Sequence, residues 1–281
     1  MNEIGIIGAS GFIGRNLCDY FHKQKVDFVA IHRKKPEYDL PYAIEICPSF
    51  SNLPEFKKII FLAEPSRLTD KNIKDRDYIN KTQRTLSNAL DSSNAHFIYA
   101  SSSAVYGDKN LTKHAASSKL YPSSVYAEAK IQCEKMILDN NGVVLRLSNI
   151  YGHGMSEDNV ISKLIRQLRT EKTKIEVWDK SPIRDYLFIQ DLTAFFEQLI
   201  KKELTSQIFN VGSGISHSVS DLFNILMRIF KKNELFLLET NPMNTVSALM
   251  LDIEKTKKEV DWTPRFSIAS GLYKLIYEDK V

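Results

Sequence analysis

Short apolar runs alternate with helical periodicity through the first half of the chain. Residues 4–7, 28–31, 59–63, 97–100 and 143–147 are nearly unbroken apolar runs of strand length, the pattern of strands buried on both faces, as in a parallel sheet. Between them, residues 12–24 place Ile13, Leu17, Tyr20 and Phe21 on one helical side, and helices are also predicted over residues 76–90 and 124–139. This β-α-β alternation predicts an α/β fold, a doubly wound parallel sheet of the Rossmann type, whose ligand crevice lies at the carboxyl ends of the strands.

After Gly152 the pattern changes. Helices are predicted at residues 158–170 and 192–202, strands at 174–177 and 208–211, and Ser218-x-x-Asp221 has the spacing of a capping box that opens a further helix. The expected organisation is a dinucleotide-binding domain over residues 1–150, with 174–200 returning to it. Residues 151–173 and 201–281 then form a smaller C-terminal α/β lobe for substrate.

Composition narrows the class. With 281 residues, 43% apolar and 26% charged, the chain has enough apolar residues for a substantial core. No run approaches the roughly 18 apolar residues of a membrane helix, and the N-terminus enters a strand pattern directly, so a cytoplasmic protein with no membrane partner is expected. Cys18, Cys47 and Cys133 are far apart, which suggests neither a zinc site nor a disulfide framework, and no metal is expected. The net charge of +4 comes from basic and acidic residues closely mixed, which argues against a nucleic-acid partner while favouring small anions.

The candidate chemistry begins at Gly8-Ala9-Ser10-Gly11-Phe12-Ile13-Gly14, directly after the first strand and opening the first helix. Glycines there permit a tight turn and close backbone approach to a pyrophosphate, and the helix N-terminus offers free N–H groups. Gly8, Ser10, Gly11, Phe12, Ile13 and Gly14 are the expected cofactor-binding residues of this turn. An NAD site usually carries an acid at the end of the second strand, about 20 residues past the loop. Here the chain reads His32-Arg33-Lys34-Lys35. A basic cluster cannot accept from a ribose 2′-hydroxyl, whereas Arg33, with Lys34 beside it, can pair with a 2′-phosphate. NADP(H) is therefore preferred, with NAD(H) left open.

Ser101-Ser102-Ser103-Ala104-Val105-Tyr106-Gly107 closes the strand at 97–100, and Tyr126-Ala127-Glu128-Ala129-Lys130 begins the next long helix, its i, i+4 spacing placing Tyr126 and Lys130 on one face. Together with the glycine loop, Phe61-Leu62-Ala63, Leu145-Arg146-Leu147-Ser148-Asn149-Ile150-Tyr151-Gly152, Arg184-Asp185-Tyr186, Asn210-Val211-Gly212 and Asp261-Trp262-Thr263-Pro264, these stretches resemble the extended short-chain dehydrogenase/reductase family of NAD(P)-dependent nucleotide-sugar epimerases, dehydratases and reductases. The resemblance covers nearly the whole chain.

It implies a catalytic triad of Ser102, Tyr126 and Lys130, cofactor contacts at Leu62 and Ala63, and a nucleotide-diphosphate sugar held by Arg184, with Asn149 and Ser103 beside it. It also suggests a homodimer through the helices near residues 76–90 and 124–139. Lys130, with the oxidised nicotinamide, is expected to depress the Tyr126 phenol so that it exchanges a proton near neutral pH, and to bond the nicotinamide ribose. Ser102 is expected to donate to the reacting carbonyl oxygen, with Ser103 the alternative donor.

The chain also departs from the family. Glu64-Pro65 replaces the small residues that usually follow the Leu-Ala pair, placing an acid near the presumed cofactor, and Asn241-Pro242-Met243-Asn244 lacks the arginine that members often carry there. Family 4,6-dehydratases carry an Asp-Glu pair where this chain has Ser103 and Ala104, and GDP-fucose synthases a Cys at Ala104. Neither residue here abstracts a proton from carbon. That leaves reduction of a 4-keto sugar or 4-epimerisation, and the basic cluster at Arg33 favours reduction, since a reductase consumes NADPH from solution while an epimerase recycles a retained NAD. A non-catalytic NADP(H)-binding regulator is a further alternative, against which the intact triad argues.

Overall fold

The computed structural model describes residues 2–37, 39–64, 75–170, 173–243 and 245–278. Its elements in chain order are β1 (Asn2–Ile7), α1 (Phe12–Lys23), β2 (Val29–His32), β3 (Ile44–Ile46), β4 (Phe56–Phe61), α2 (Asp75–Asp91), β5 (His96–Ser102), β6 (Lys109–His114), α3 (Val125–Asp139), β7 (Val143–Leu147) and β8 (Asn149–Tyr151). They continue as α4 (Val160–Leu168), β9 (Lys174–Val177), β10 (Ile183–Phe188), α5 (Ile189–Leu199), β11 (Gln207–Val211), β12 (Ser216–Ser218), α6 (Val219–Ile229), β13 (Phe236–Glu239), β14 (Ala248–Leu251), α7 (Glu254–Val260) and α8 (Ile268–Tyr277).

The five apolar runs of the first half all become strands of one seven-stranded sheet, ordered β11-β7-β5-β4-β1-β2-β3. Pairings of β1 with β2 and β4, of β2 with β3 and of β4 with β5 are parallel. Ile6, Ile7, Ile59 and Ile60 are wholly buried, which is why both faces of these strands had to be apolar. From β1 the order runs outward to β3 on one side and through β4 on the other. Such a reversal of strand order opens a crevice at the carboxyl ends of a doubly wound sheet.

Local chemistry sets the element ends. The Ser124 hydroxyl accepts from Ala127 N–H at 3.2 Å and starts α3. β4 begins earlier than its apolar run because Lys58 stays in the strand and sends its ammonium to the Ile200 and Lys202 carbonyls at 2.7 and 3.0 Å.

The chain divides into two compact units. One comprises residues 1–105, 120–146 and 193–209, the other residues 106–119, 147–192 and 210–281. The sequence suggested that 174–200 rejoin the first unit. In the structure the returning segment is 193–209, and 174–192 belong to the second unit, where β10 pairs with β8, β12 and β14. β6 joins the same sheet through β14. α6 opens with both halves of the expected capping box: Asp221 N–H donates to Ser218 Oγ at 3.0 Å, and Ser218 N–H to Asp221 Oδ2 at 2.8 Å. Among the described residues no helix is long and apolar enough to cross a membrane.

Candidate active site

The turn between β1 and α1 tolerates only glycine at two places. Gly8 has φ +90°, and a Cβ on it would stand 2.7 Å from the Ala63 nitrogen and 2.8 Å from the Leu62 carbonyl carbon. A Cβ on Gly14 would collide with the Gly8 carbonyl oxygen. The backbone thus lies directly on the end of β4, with Leu62 N–H donating to Ile7 O at 2.8 Å. Gly11 is the N-cap of α1. It offers no side-chain cap, and the first turn holds no acid, so the leading N–H groups remain available to an anion. Ser10 is exposed, and Phe12 and Ile13 are half-buried. The bare N-terminus and the side-chain-free cradle fit a pyrophosphate.

At the end of β2 the chain passes from buried Ile31 and His32 to exposed Arg33, Lys34 and Lys35. Burial disfavours the charged form of the His32 imidazole and lowers its pKa. The basic group beside it therefore meets no like charge from that ring.

The strand end of β5 separates three adjacent serines. Ser101 Oγ donates to the buried Glu134 carboxylate, and Ser102 Oγ accepts from Ala104 N–H at 3.2 Å. Ser103 is 3% exposed and begins a 3-10 turn, Ser103–Tyr106. Of the two candidate donors, Ser102 is half-buried at the end of β5, and its hydroxyl acts to lower the Tyr126 phenol. Lys130, one turn along α3 from Tyr126, is 4% exposed. Its ammonium donates to Ala100 O at 2.8 Å, forms an ion pair with Glu64 Oε2 at 2.7 Å, and lies 5.7 Å from the Tyr126 ring centroid. The Tyr78 hydroxyl, on α2, donates to Glu64 Oε1 at 2.7 Å. Glu64, directly after Leu62 and Ala63, thereby ties the end of β4 to Lys130 of α3 and Tyr78 of α2 within the first unit.

Lys130 is one of several groups that act on the Tyr126 phenol. Burial raises the Tyr126 phenol, Lys130 lowers it, Glu64 raises it again, and the Ser102 hydroxyl lowers it. The protein's own groups leave it above the ordinary tyrosine value, not below. For Lys130, burial works against the ammonium, but Tyr126 and Glu64 outweigh it and hold its pKa up. Sequence reading noticed Glu64 as an unusual acid but not its partner, because Tyr78 and Lys130 come from other elements. The tail of that departure, Pro65, lies outside the described residues.

The remaining candidates lie in the second unit. Arg184 donates to Ile183 O and Ser247 O at 2.9 Å each, to Ser247 Oγ at 2.7 Å and to Asp108 Oδ2 at 3.2 Å. Its acid partner is Asp108, not the adjacent Asp185, which instead accepts from Ser213 and Gly214 N–H groups. Asn149 is exposed at the start of β8, opposite Tyr186 of β10. His153 lines an open cavity of about 840 Å³ with Met155, Arg166 and Arg169. Two motif residues turn out to be structural braces: Asn210 accepts from the Tyr106 hydroxyl at 2.6 Å and donates to His114 O and Asp252 O, and Arg146 is spent on Glu134.

The profile described as the NAD dependent epimerase/dehydratase family matches residues 4–212. The chain belongs to that family. As a member it is an NAD(P)-binding enzyme of the epimerase, dehydratase and reductase kind, on the Rossmann-type fold already described. Similar relatives include dTDP-4-dehydro-6-deoxyglucose reductase of Escherichia coli, 24% identical over 98% of this chain and 96% of the relative. Among solved structures, UDP-glucose 4-epimerase from Thermotoga maritima, with UDP-glucose, superposes with a TM-score of 0.82 at 22% identity over 98% of this chain and 97% of that one. RMD from Pseudomonas aeruginosa, complexed with NADPH, gives 0.79 at 20% identity over 99% and 98%. At these identities the solved structures speak to the fold alone.

Proposed function

We propose that this family enzyme reduces a 4-keto group on a nucleotide-diphosphate sugar, using NADPH. The observation that carries the reading is the buried Lys130 ammonium 5.7 Å from the Tyr126 ring, with Ser102 at the end of β5, combined with Ser103 and Ala104 where a dehydratase needs acids. A site with this hydroxyl pair and no carbon base is equipped for hydride transfer at a single carbonyl. A relative named for reducing a nucleotide-linked 4-dehydro-6-deoxyglucose, matched along nearly the whole chain, supports it.

In this reading Gly8, Ser10, Gly11, Phe12, Ile13 and Gly14 hold the cofactor pyrophosphate, Leu62 and Ala63 flank the dinucleotide, and Arg33 with Lys34 takes the 2′-phosphate. The bound dinucleotide supplies the hydride. Ser102 donates to the carbonyl oxygen, Tyr126 gives it a proton, and Lys130 orients the phenol and the cofactor ribose. Asn149, Ser103 and Arg184 contact the substrate, and Arg184 exchanges its Asp108 contact for a ligand phosphate. The same reading includes assembly as a homodimer through α2 and α3.

Incubation with a panel of nucleotide-linked 4-keto-6-deoxy sugars and NADPH tests it, alongside ordinary nucleotide-hexoses without added reductant. Stoichiometric NADPH oxidation is expected in the first arm. Interconversion of C4 epimers in the second, with no net cofactor consumption, replaces the reductase by an epimerase.

A further inference from the structure

Glu64 stands at the first residue after Ala63, where the backbone of the glycine turn presses on the end of β4. Its two carboxylate oxygens face two other elements: Oε2 meets the Lys130 ammonium on α3 at 2.7 Å, and Oε1 accepts from the Tyr78 hydroxyl on α2 at 2.7 Å. An ammonium has three donors. Glu64 takes one and Ala100 O, at 2.8 Å, a second, so the nitrogen is held at a fixed place 5.7 Å from the Tyr126 ring and 4.8 Å from that of Tyr99.

The charge matters as much as the position. A buried, unpaired ammonium beside a phenol favours the phenolate, which withdraws a proton from an alcohol. Paired with a carboxylate it presents almost no net charge, and the phenol keeps its proton. The titratable groups facing this cluster are Tyr78 from α2, Tyr99 from β5 and Cys133 from α3. Burial first of all raises all three, Cys133 to about 11. Near neutral pH the local charge is therefore decided by Glu64 and Lys130 among the described residues.

We propose that Glu64 is a positioning residue that fixes the Lys130 ammonium and keeps the Tyr126 phenol proton-bearing, setting this site to deliver a proton to a carbonyl instead of taking one from a hydroxyl. The inference rests on the reading of Tyr126 as the proton-exchange residue. The balance is simple. As the carbonyl carbon gains a hydride from a reduced nicotinamide dinucleotide, its oxygen forms a bond to the phenol proton. The sugar is reduced to the alcohol, the dinucleotide is oxidised, and the phenolate left behind recovers a proton from water. Glu64 makes the starting state of that direction, the protonated phenol, the resting one.

The test is a phenolate absorbance titration of the protein without cofactor. Subtracting the Tyr126→Phe curve from the parent curve isolates Tyr126, and the pair is measured with Glu64 and again with Glu64→Gln, which keeps the shape and loses the charge. Glu64→Ala is a second neutral variant, of a size the family accommodates, and either one that folds provides the comparison. The Tyr126 transition is expected to move down by about one pH unit or more without the carboxylate. The alkaline fall of NADPH-dependent turnover is expected to move with it. A Tyr126 transition that stays in place or moves up overturns the proposal, because a purely structural Glu64 leaves that titration unchanged. If Tyr126→Phe retains full turnover, the proton-donor reading itself fails, and the titration still reports on Glu64 separately.

Discussion

Lys130 and Glu134 stand one turn apart on α3, and each ends in a buried ion pair, yet the two pairs are closed differently. Glu134 receives the Arg146 guanidinium through Nε at 3.1 and 3.2 Å and Nη2 at 2.7 Å, with Ser101 adding a fourth bond, and both side chains are 4% exposed. Glu64 reaches Lys130 from the end of β4 and keeps 20% exposure. A saturated, enclosed pair has no bond to spare for a ligand, so it braces β5, α3 and β7. A pair with one open side can adjust the charge beside a reacting group. On the proposed reading, the same motif-bearing stretch of helix serves as scaffold at one turn and chemistry at the next.

Replacing the reacting group itself should have the largest effect. Tyr126→Phe should lower turnover by about a hundred- to ten-thousandfold while NADP(H) affinity stays within a few-fold, as when an interaction made only in the transition state is lost. Steady-state kinetics with a binding titration check both halves. Because the folded phenol lies above its ordinary value, reduction by the unmodified enzyme should be level through neutral pH and decline as pH rises through that raised value.

The scaffold pair should respond in stability instead. Glu134→Ala strands the Arg146 guanidinium in the interior and should cost about 3–5 kcal/mol in urea unfolding. Glu64→Gln should cost less, since water reaches that carboxylate. Equal losses in the two variants would erase the distinction between the pairs.

Arg33 extends the comparison to a cation at the exposed end of β2. Arg33→Ala should weaken NADP(H) about ten- to a hundredfold, the worth of a charge-assisted bond of roughly 1.5–3 kcal/mol. NAD(H), without a 2′-phosphate, should change little, and an equal loss for both would remove Arg33 as the discriminator.

An acid of the second unit, at the start of α6, should give the smallest change. Hydrogen bonds from Ser218 hold Asp221 below the ordinary carboxylate value. The stability it contributes is fully present above the unfolded carboxyl's pKa and is lost as pH falls through the lowered folded value. Ser218→Ala should cost about 1 kcal/mol and flatten that acid dependence in chemical unfolding measured at several pH values.

What could be read from the residues was whatever lies in one continuous stretch. The glycine turn, the β5 serines and the Tyr126–Lys130 pair each sit within a single turn or helix face, and the apolar runs of the parallel sheet are unmistakable because both faces are buried. β6 escaped because Lys109 to Lys113 are exposed and, apart from Leu111, polar, so its pairing with β14 leaves no apolar run. Arg184 was read with Asp185 as one motif, but neighbours on a strand point to opposite faces, and the structure sends one to Asp108 and the other to Ser213. The sign of the Tyr126 shift was hidden for a related reason. It depends on burial and on a carboxylate from another element, neither of which a Tyr-x-x-x-Lys spacing encodes.

The first unit is drawn from three separated segments, and its sheet takes its outermost strand, β11, from residues 207–211. During synthesis, β1 to β7 emerge well before the strand that flanks β7. At about 5–20 residues per second, the β7 edge waits several seconds for β11. Until then its backbone N–H and C=O groups are a template for any extended chain nearby. The ribosome's pace, as much as the native packing, sets how long this enzyme is exposed to mispairing.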